Sequence, residues 1–196
     1  MSLVVAIRTP DRGVFVGADS AIISGSDEHD QTITSISPEL NPKIMKRGPY
    51  VAAGVGSARI LNVLRLVEWP ELPPEALTDL EVATKHVVAV IVPVVLNTYE
   101  ENGLAMEQIP GAMIYHGQFV LAFGNYLFDI GPDLSAVTYD IPYIALGGAA
   151  KLATGALGVA TELLDDPVEQ IKMAMSTASF HSTMCCAPFT ILHTLS

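Results

Sequence analysis

Short β-branched runs alternate with turn residues through the first third of the chain. LVVAIR (3–8) and GVFVGA (13–18) flank Thr9-Pro10-Asp11-Arg12, so they predict a hairpin. The polar stretch 24–41 reads as a loop holding a short strand around Thr32 to Ile36. KIMKRGPYVAAG (43–54) predicts two more strands about the Gly48-Pro49 turn. These four main strands are expected to make one sheet.

The period then changes. Ser57 is a candidate N-cap for ARILNVLRLVEW (58–69), where Ile60, Val63, Leu64 and Val67 recur at helical spacing. Pro70, Pro73 and Pro74 end that helix. From about Ala76 to Asn102 a helical period gives way to VVAVIVPVVL, which has strand propensity and carries Pro93. Its length and polar ends predict a long, kinked helix. Strands return at GAMIYH (111–116), QFVLAFG (118–124), NYLFDIG (125–131), SAVTYD (135–140) and YIALG (143–147). Two helices follow, 148–163 and 166–181, split by Asp165-Asp166-Pro167, and PFTILHTL (188–195) reads as a last strand. Sheet, two helices, sheet, two helices and a strand predict an α+β fold. Its form is a four-layer α-β-β-α sandwich with two packed antiparallel sheets. No repeat or linker interrupts it, so 1–196 is expected to be a single domain.

Composition adds an expectation of assembly. Hydrophobic residues make up 50% and charged residues only 16% of the 196 positions, against about 25% charged in an average domain. So few charges leave apolar surface for a homo-oligomer, or else an unusually large core. A net charge of −11 argues against nucleic acid, which requires clustered Lys and Arg. Cys185 and Cys186 are sequence neighbours and form no disulfide framework, so a reducing, cytoplasmic location is expected. There is no signal-peptide pattern, and VVAVIVPVVL is about half a bilayer span, so no membrane is expected. His29, His86, His116, His181 and His193 lack metal-ligand spacing, and GVGSA (54–58, with Gly54) lacks the phosphate-loop lysine. No metal and no cofactor is expected.

Candidate chemistry begins at Ser2. Taken alone, a serine after the initiator methionine is an ordinary start, Asp19 a turn residue and Lys43 an exposed strand end. The stretches VFVGADSA, NPKIMK, YVAAGVGSA and IALGGAAKLATGAL, in that order, resemble the proteasome β-subunit and HslV-like superfamily of N-terminal nucleophile hydrolases. The resemblance covers nearly the whole chain. It implies Ser2 as nucleophile, Asp19 as the acidic residue after the second strand, Lys43 as the catalytic lysine and Gly54 as the backbone N–H donor to the oxyanion.

The chemistry of such a set is coherent. A serine hydroxyl is a poor nucleophile without a base. A free α-amine, with a pKa of about 7.7–8.0, can serve as that base once Met1 is removed. Lys43 would favour the alkoxide, and Asp19 would hold Lys43 charged and oriented. The implied function is cleavage of peptide or amide bonds by acyl transfer. The implied partners are a polypeptide substrate, copies of the chain in a ring or stacked rings, and an ATP-dependent unfoldase. A catalytically inert ring subunit and a small-molecule amidase are the alternatives on the same scaffold.

Three departures from the superfamily pattern stand out. Gly148 occupies the place of a serine hydroxyl beside the nucleophile. The Asp-x-x-Ser pattern near the last helix is absent, leaving Ser179, His181 and Ser182 as candidates to fill it. The loop from Asp19 to Lys43 is longer than usual.

Overall fold

The computed structural model describes residues 2–24, 32–39, 42–110 and 112–195. Met1, whose removal the Ser2 reading requires, lies outside the described residues, as does the middle of the polar loop.

Strands β1 (Leu3–Arg8) and β2 (Val14–Ala18) form the expected hairpin. Thr9 closes it: its N–H and its hydroxyl both donate to the Gly13 carbonyl, at 2.9 and 2.8 Å. Among the described residues, strands β3 (Ala21–Ser24) and β4 (Thr32–Ser35) pair only with each other. Strands β5 (Ile44–Arg47) and β6 (Tyr50–Gly56) form a second hairpin.

The expectation that these early strands share one sheet is corrected. The free edge of β1 is taken by β12 (Tyr143–Gly147), and β2 pairs onward with β13 (Thr190–His193). The first sheet therefore runs β12-β1-β2-β13. The free edge of β6 is taken instead by β9 (Gly117–Phe123). With β10 (Tyr126–Ile130) and β11 (Ala136–Val137), the second sheet runs β11-β10-β9-β6-β5. Partners more than sixty residues away decide which sheet each hairpin joins, and local pattern does not carry that information. A small hairpin, β7 (Glu107–Ile109) with β8 (Ala112–Ile114), stands apart; its first strand has no counterpart in the sequence reading.

Helix α1 (Ala58–Leu64) is capped by Ser57, whose hydroxyl accepts from the Ile60 N–H, but it ends five residues short of Trp69. After a 3₁₀ turn at Pro74–Leu77, α2 (Leu80–His86), a π turn (Val87–Ile91) and α3 (Val92–Glu101) form one continuous helical segment. The π turn lies where a kink was expected. Pro93 has no N–H to return, and its ring crowds the carbonyl four residues back, so the preceding turn widens and the Val92 N–H reaches Val87 O. By length and mean hydropathy (1.6) the 22-residue segment Leu80–Glu101 is apolar enough to cross a bilayer. Here one stripe of it, Ala83, Val87, Ile91, Val95 and Tyr99, is buried against the second sheet. Helices α4 (Ala150–Leu163) and α5 (Pro167–His181) pack together on the first sheet.

The layers follow from strand alternation. Val4, Ala6 and Val16 face Val51, Ala53 and Val120 between the sheets. Leu3, Val5 and Ile7, of opposite parity, face Leu157, Ile171 and Met175 of the helices. Leu121, Phe123 and Phe128 face the other helical layer. Both faces of β1 are buried, which is why it reads as an unbroken apolar run. The result is the expected four-layer α-β-β-α sandwich.

Candidate active site

Ser2 is 2% exposed, and its carbonyl accepts from the Gly148 N–H at 3.1 Å. Gly147 lies against that carbonyl in a left-handed conformation (φ +104°); a Cβ there would stand 1.8 Å from Ser2 O. Only glycine allows β12 to approach the chain start this closely.

Asp19 follows β2, and its carboxylate reaches back to the start of β1. Its Oδ1 accepts from the Leu3 N–H (2.9 Å) and from Lys43 Nζ (2.8 Å). Its Oδ2 accepts from the Ala21 N–H (3.0 Å) and the Cys186 N–H (3.3 Å). A carboxylate offers about four lone-pair sites, and all four are in use. Both side chains of the Lys43–Asp19 pair are buried, at 4% and 0% exposure. Lys43 Nζ also donates to the Ala21 carbonyl in a very short contact. Two of its three donors are thus spent on anchoring, while Lys43 itself lines a cavity of about 370 Å³ together with Ser2. Ile22, Ile36, Leu61 and Asn62 are among the residues that complete its wall. The structure thus brings Ser2, Asp19 and Lys43 together.

Gly54 is not part of this cavity. Its N–H donates to the Lys43 carbonyl at 3.0 Å as a β5–β6 ladder bond, so it has no donor left for an oxyanion. The expectation for Gly54 is corrected on that ground. Gly56 is the glycine that lines the cavity. Alternation along β6 turns its N–H to the same edge as that of Gly54, two residues further on and past the start of β5. Its φ is +118°, and a Cβ would fall 2.4 Å from His116 O and 2.6 Å from Gly117 Cα. The sequence signal was present in AAGVGSA, with two glycines at alternate positions. Choosing between them needed the strand register.

The opposite flank of Ser2 differs. A Cβ on Gly148 would lie 2.4 Å from Met184 Sδ, so the thioether fills the space a serine side chain would use. Ser179, His181 and Ser182, the candidates for the missing Asp-x-x-Ser groups, line a separate cavity with Phe180 and Cys186. The Ser182 hydroxyl accepts from the Met184 N–H at 3.1 Å. What reaches the site from this segment is its backbone: the Cys186 N–H bonds Asp19, and the Cys186 carbonyl accepts from the Ser20 N–H (3.1 Å). The thiol of Cys185 is buried, and desolvation, then the nearby Asp19 carboxylate, push its pKa up to about 11. It is a neutral wall rather than a nucleophile at neutral pH. Among the described residues no cluster of His, Cys, Asp and Glu could hold a metal ion.

No family model and no curated protein matches the sequence. Solved structures do match the fold. A structure of Thiobacillus denitrificans BPH in complex with epoxomicin superposes with a TM-score of 0.71 at 17% identity, over 98% of this chain and 100% of that one. Eukaryotic HslV from Trypanosoma brucei gives 0.62 at 12% identity, over 97% of each chain. Anbu, the ancestral β-subunit, from Yersinia bercovieri gives 0.59 at 16%, over 97% of this chain and 80% of that one. The chain therefore has the fold of the proteasome-like N-terminal nucleophile hydrolases.

Proposed function

We propose that this chain is an N-terminal serine hydrolase that cleaves peptide or amide bonds by acyl transfer once Met1 is removed. One observation carries the reading. Ser2 shares a cavity with Lys43, and Lys43 is fixed by a buried Asp19 whose four acceptor sites are all engaged.

The Ser2 hydroxyl attacks the substrate carbonyl, and its proton passes to the freed α-amine of the same residue. Lys43 stabilises the alkoxide. The Gly56 N–H, in place of Gly54, faces the tetrahedral oxyanion, a role in which one donor is worth roughly 10²–10³ in rate. The protonated amine then gives its proton to the leaving nitrogen, and water, deprotonated by the amine, releases the acyl group from Ser2. The largely apolar wall of Ile22, Ile36 and Leu61 suits an apolar side chain on a polypeptide substrate.

Assembly belongs to the same proposal. The outer helical layer exposes Leu152, Val159 and Leu163 on α4 and Met173 and Phe180 on α5. Apolar surface at that density supports a homo-oligomer, and a ring or stacked rings would enclose the cavity; an ATP-dependent unfoldase would then supply unfolded chains. A second reading, an inert ring subunit, is favoured by Met184 standing where a supporting hydroxyl would be. A cytoplasmic setting agrees with the unpaired Cys185 and Cys186.

Fluorogenic peptide amides with apolar residues before the scissile bond test the reaction. Hydrolysis by the wild type and none by Ser2→Ala is expected, and equal rates in both overturn the assignment. Light scattering tests the assembly, and a monomer at micromolar concentration contradicts the ring.

A further inference from the structure

Among the described residues, one buried carboxylate lies outside this site. Asp129, on β10, is 7% exposed and shares the inter-sheet face of that strand with Leu127. Its Oδ1 accepts from Gln118 Nε2 (2.8 Å) and its Oδ2 from the Tyr139 hydroxyl (3.0 Å). Among the described residues, none of the ion pairs includes it. Two neutral donors serve about half of its acceptor capacity, and buried charges are ordinarily paired. Asp19, with four donors including an ammonium, is the internal contrast. Arg8, which lines a small adjoining cavity with Tyr139 and Ile141, donates to the Asp140 carbonyl instead (3.4 Å).

Asp129 opens onto a cavity of about 160 Å³ lined also by Tyr139, Ile141, Tyr143, Leu146 and Thr154. That cavity runs along the outer edge of the first sheet. The Gly148-to-Ser2 and Arg8-to-Pro142 backbone bonds fix which β12 residues bond β1: Ile144 and Leu146 do so. The main-chain groups of Tyr143 and Ala145 therefore point away from the sheet, where no strand among the described residues pairs with them. A carboxylate, two tyrosines and apolar walls are the groups that together recognise an organic cation.

We propose that this cavity binds an alkylammonium or alkylguanidinium group. Its N–H donors fill the remaining acceptor sites of Asp129, and its stem packs on Tyr139 and Ile141. Such a group comes either from a free amine or from a Lys or Arg side chain of a peptide extended along β12.

The full chain is titrated at physiological salt, about 0.15 M, with agmatine and with a capped Ala-Arg-Ala tripeptide. Backbone amide shifts and calorimetry give the readout. Saturable binding that perturbs β10 and β12 is expected. It should weaken at least about tenfold in Asp129→Asn, since a hydrogen bond to a charged group is lost. Far-UV dichroism and melting check that this variant is folded. Replacing arginine in the tripeptide by neutral, isosteric citrulline should produce the same loss in the wild type. Tighter binding of the tripeptide assigns the source to a peptide, and equal binding assigns it to the head group alone. No saturable binding of either probe, or citrulline binding as well as arginine, overturns the proposal.

Discussion

The two flanks of Ser2 are built on different principles. On one, Asp19 and Lys43 form a buried charged network in which all four carboxylate acceptor sites are used. On the other, Gly147 and Gly148 bring β12 against the Ser2 carbonyl, and the neutral Met184 thioether packs behind them. The charged flank supplies what an alkoxide needs. The sulfur flank supplies shape and dryness but no hydroxyl to assist the amine. A hydrolase on this scaffold thus leans on Lys43, the α-amine and the Gly56 N–H, with no help from the second flank, and its rate is expected to respond far more to changes on the first flank.

The largest effect is expected from Lys43→Met. It leaves Asp19 buried without its cation, which typically costs 3–5 kcal/mol, and it removes the charge that favours the alkoxide. Chemical denaturation should show the stability loss, and covalent labelling of Ser2 by an electrophilic peptide probe should cease; a variant that labels at the wild-type rate dissolves the contrast between flanks. Next is Gly56→Ala. Its Cβ meets His116 O at 2.4 Å in a backbone conformation unsuited to a side chain. Displacing that N–H should slow labelling by about two orders of magnitude, while Gly54→Ala should act mainly on folding, through contact with Leu61.

Gly148→Ser probes the second flank. Alone it overpacks against Met184, at a cost of about 1–3 kcal/mol. Combined with Met184→Ala it should restore both space and a hydroxyl, and label faster than wild type; no gain in the double variant means the flank was never deficient. The smallest effect is remote from both flanks. His86 is buried with its Nε2 2.8 Å from the Tyr50 hydroxyl, and desolvation lowers its pKa below the ordinary 6.5. The unfolded chain therefore takes up this proton first, so the contribution to stability is complete above about pH 6.5 and declines as pH falls through the folded value. Thermal melts from pH 7.5 down to 5.5 should lose stability more steeply in the wild type than in His86→Gln.

Much of the fold was legible because both faces of the central strands are buried and their runs are unbroken, as in LVVAIR and VFVGA. Sheet membership was not legible, because β12 and β9 claim β1 and β6 from far along the chain. Within the site, Ser2, Asp19 and Lys43 could be picked out by motif, since each sits at a strand boundary that the pattern marks. Gly54 was chosen over Gly56 for want of the strand register, since the two share one parity and only the extent of β5 separates them. Gly54 and Gly56 look alike in sequence, but the ladder bond to Lys43 uses the first and leaves the second facing the cavity. Met184 carried no signal at all, since its meaning depends on the empty place at Gly148.

The central claim is that Ser2, freed of Met1, is the nucleophile. Intact mass of the full chain with and without an electrophilic peptide such as epoxomicin tests it most directly, with Ser2→Ala alongside. The account predicts a chain that begins at Ser2, gains one probe mass, and carries the adduct on the N-terminal peptide in the wild type only. A chain that retains Met1, or an adduct that persists in Ser2→Ala, would contradict it.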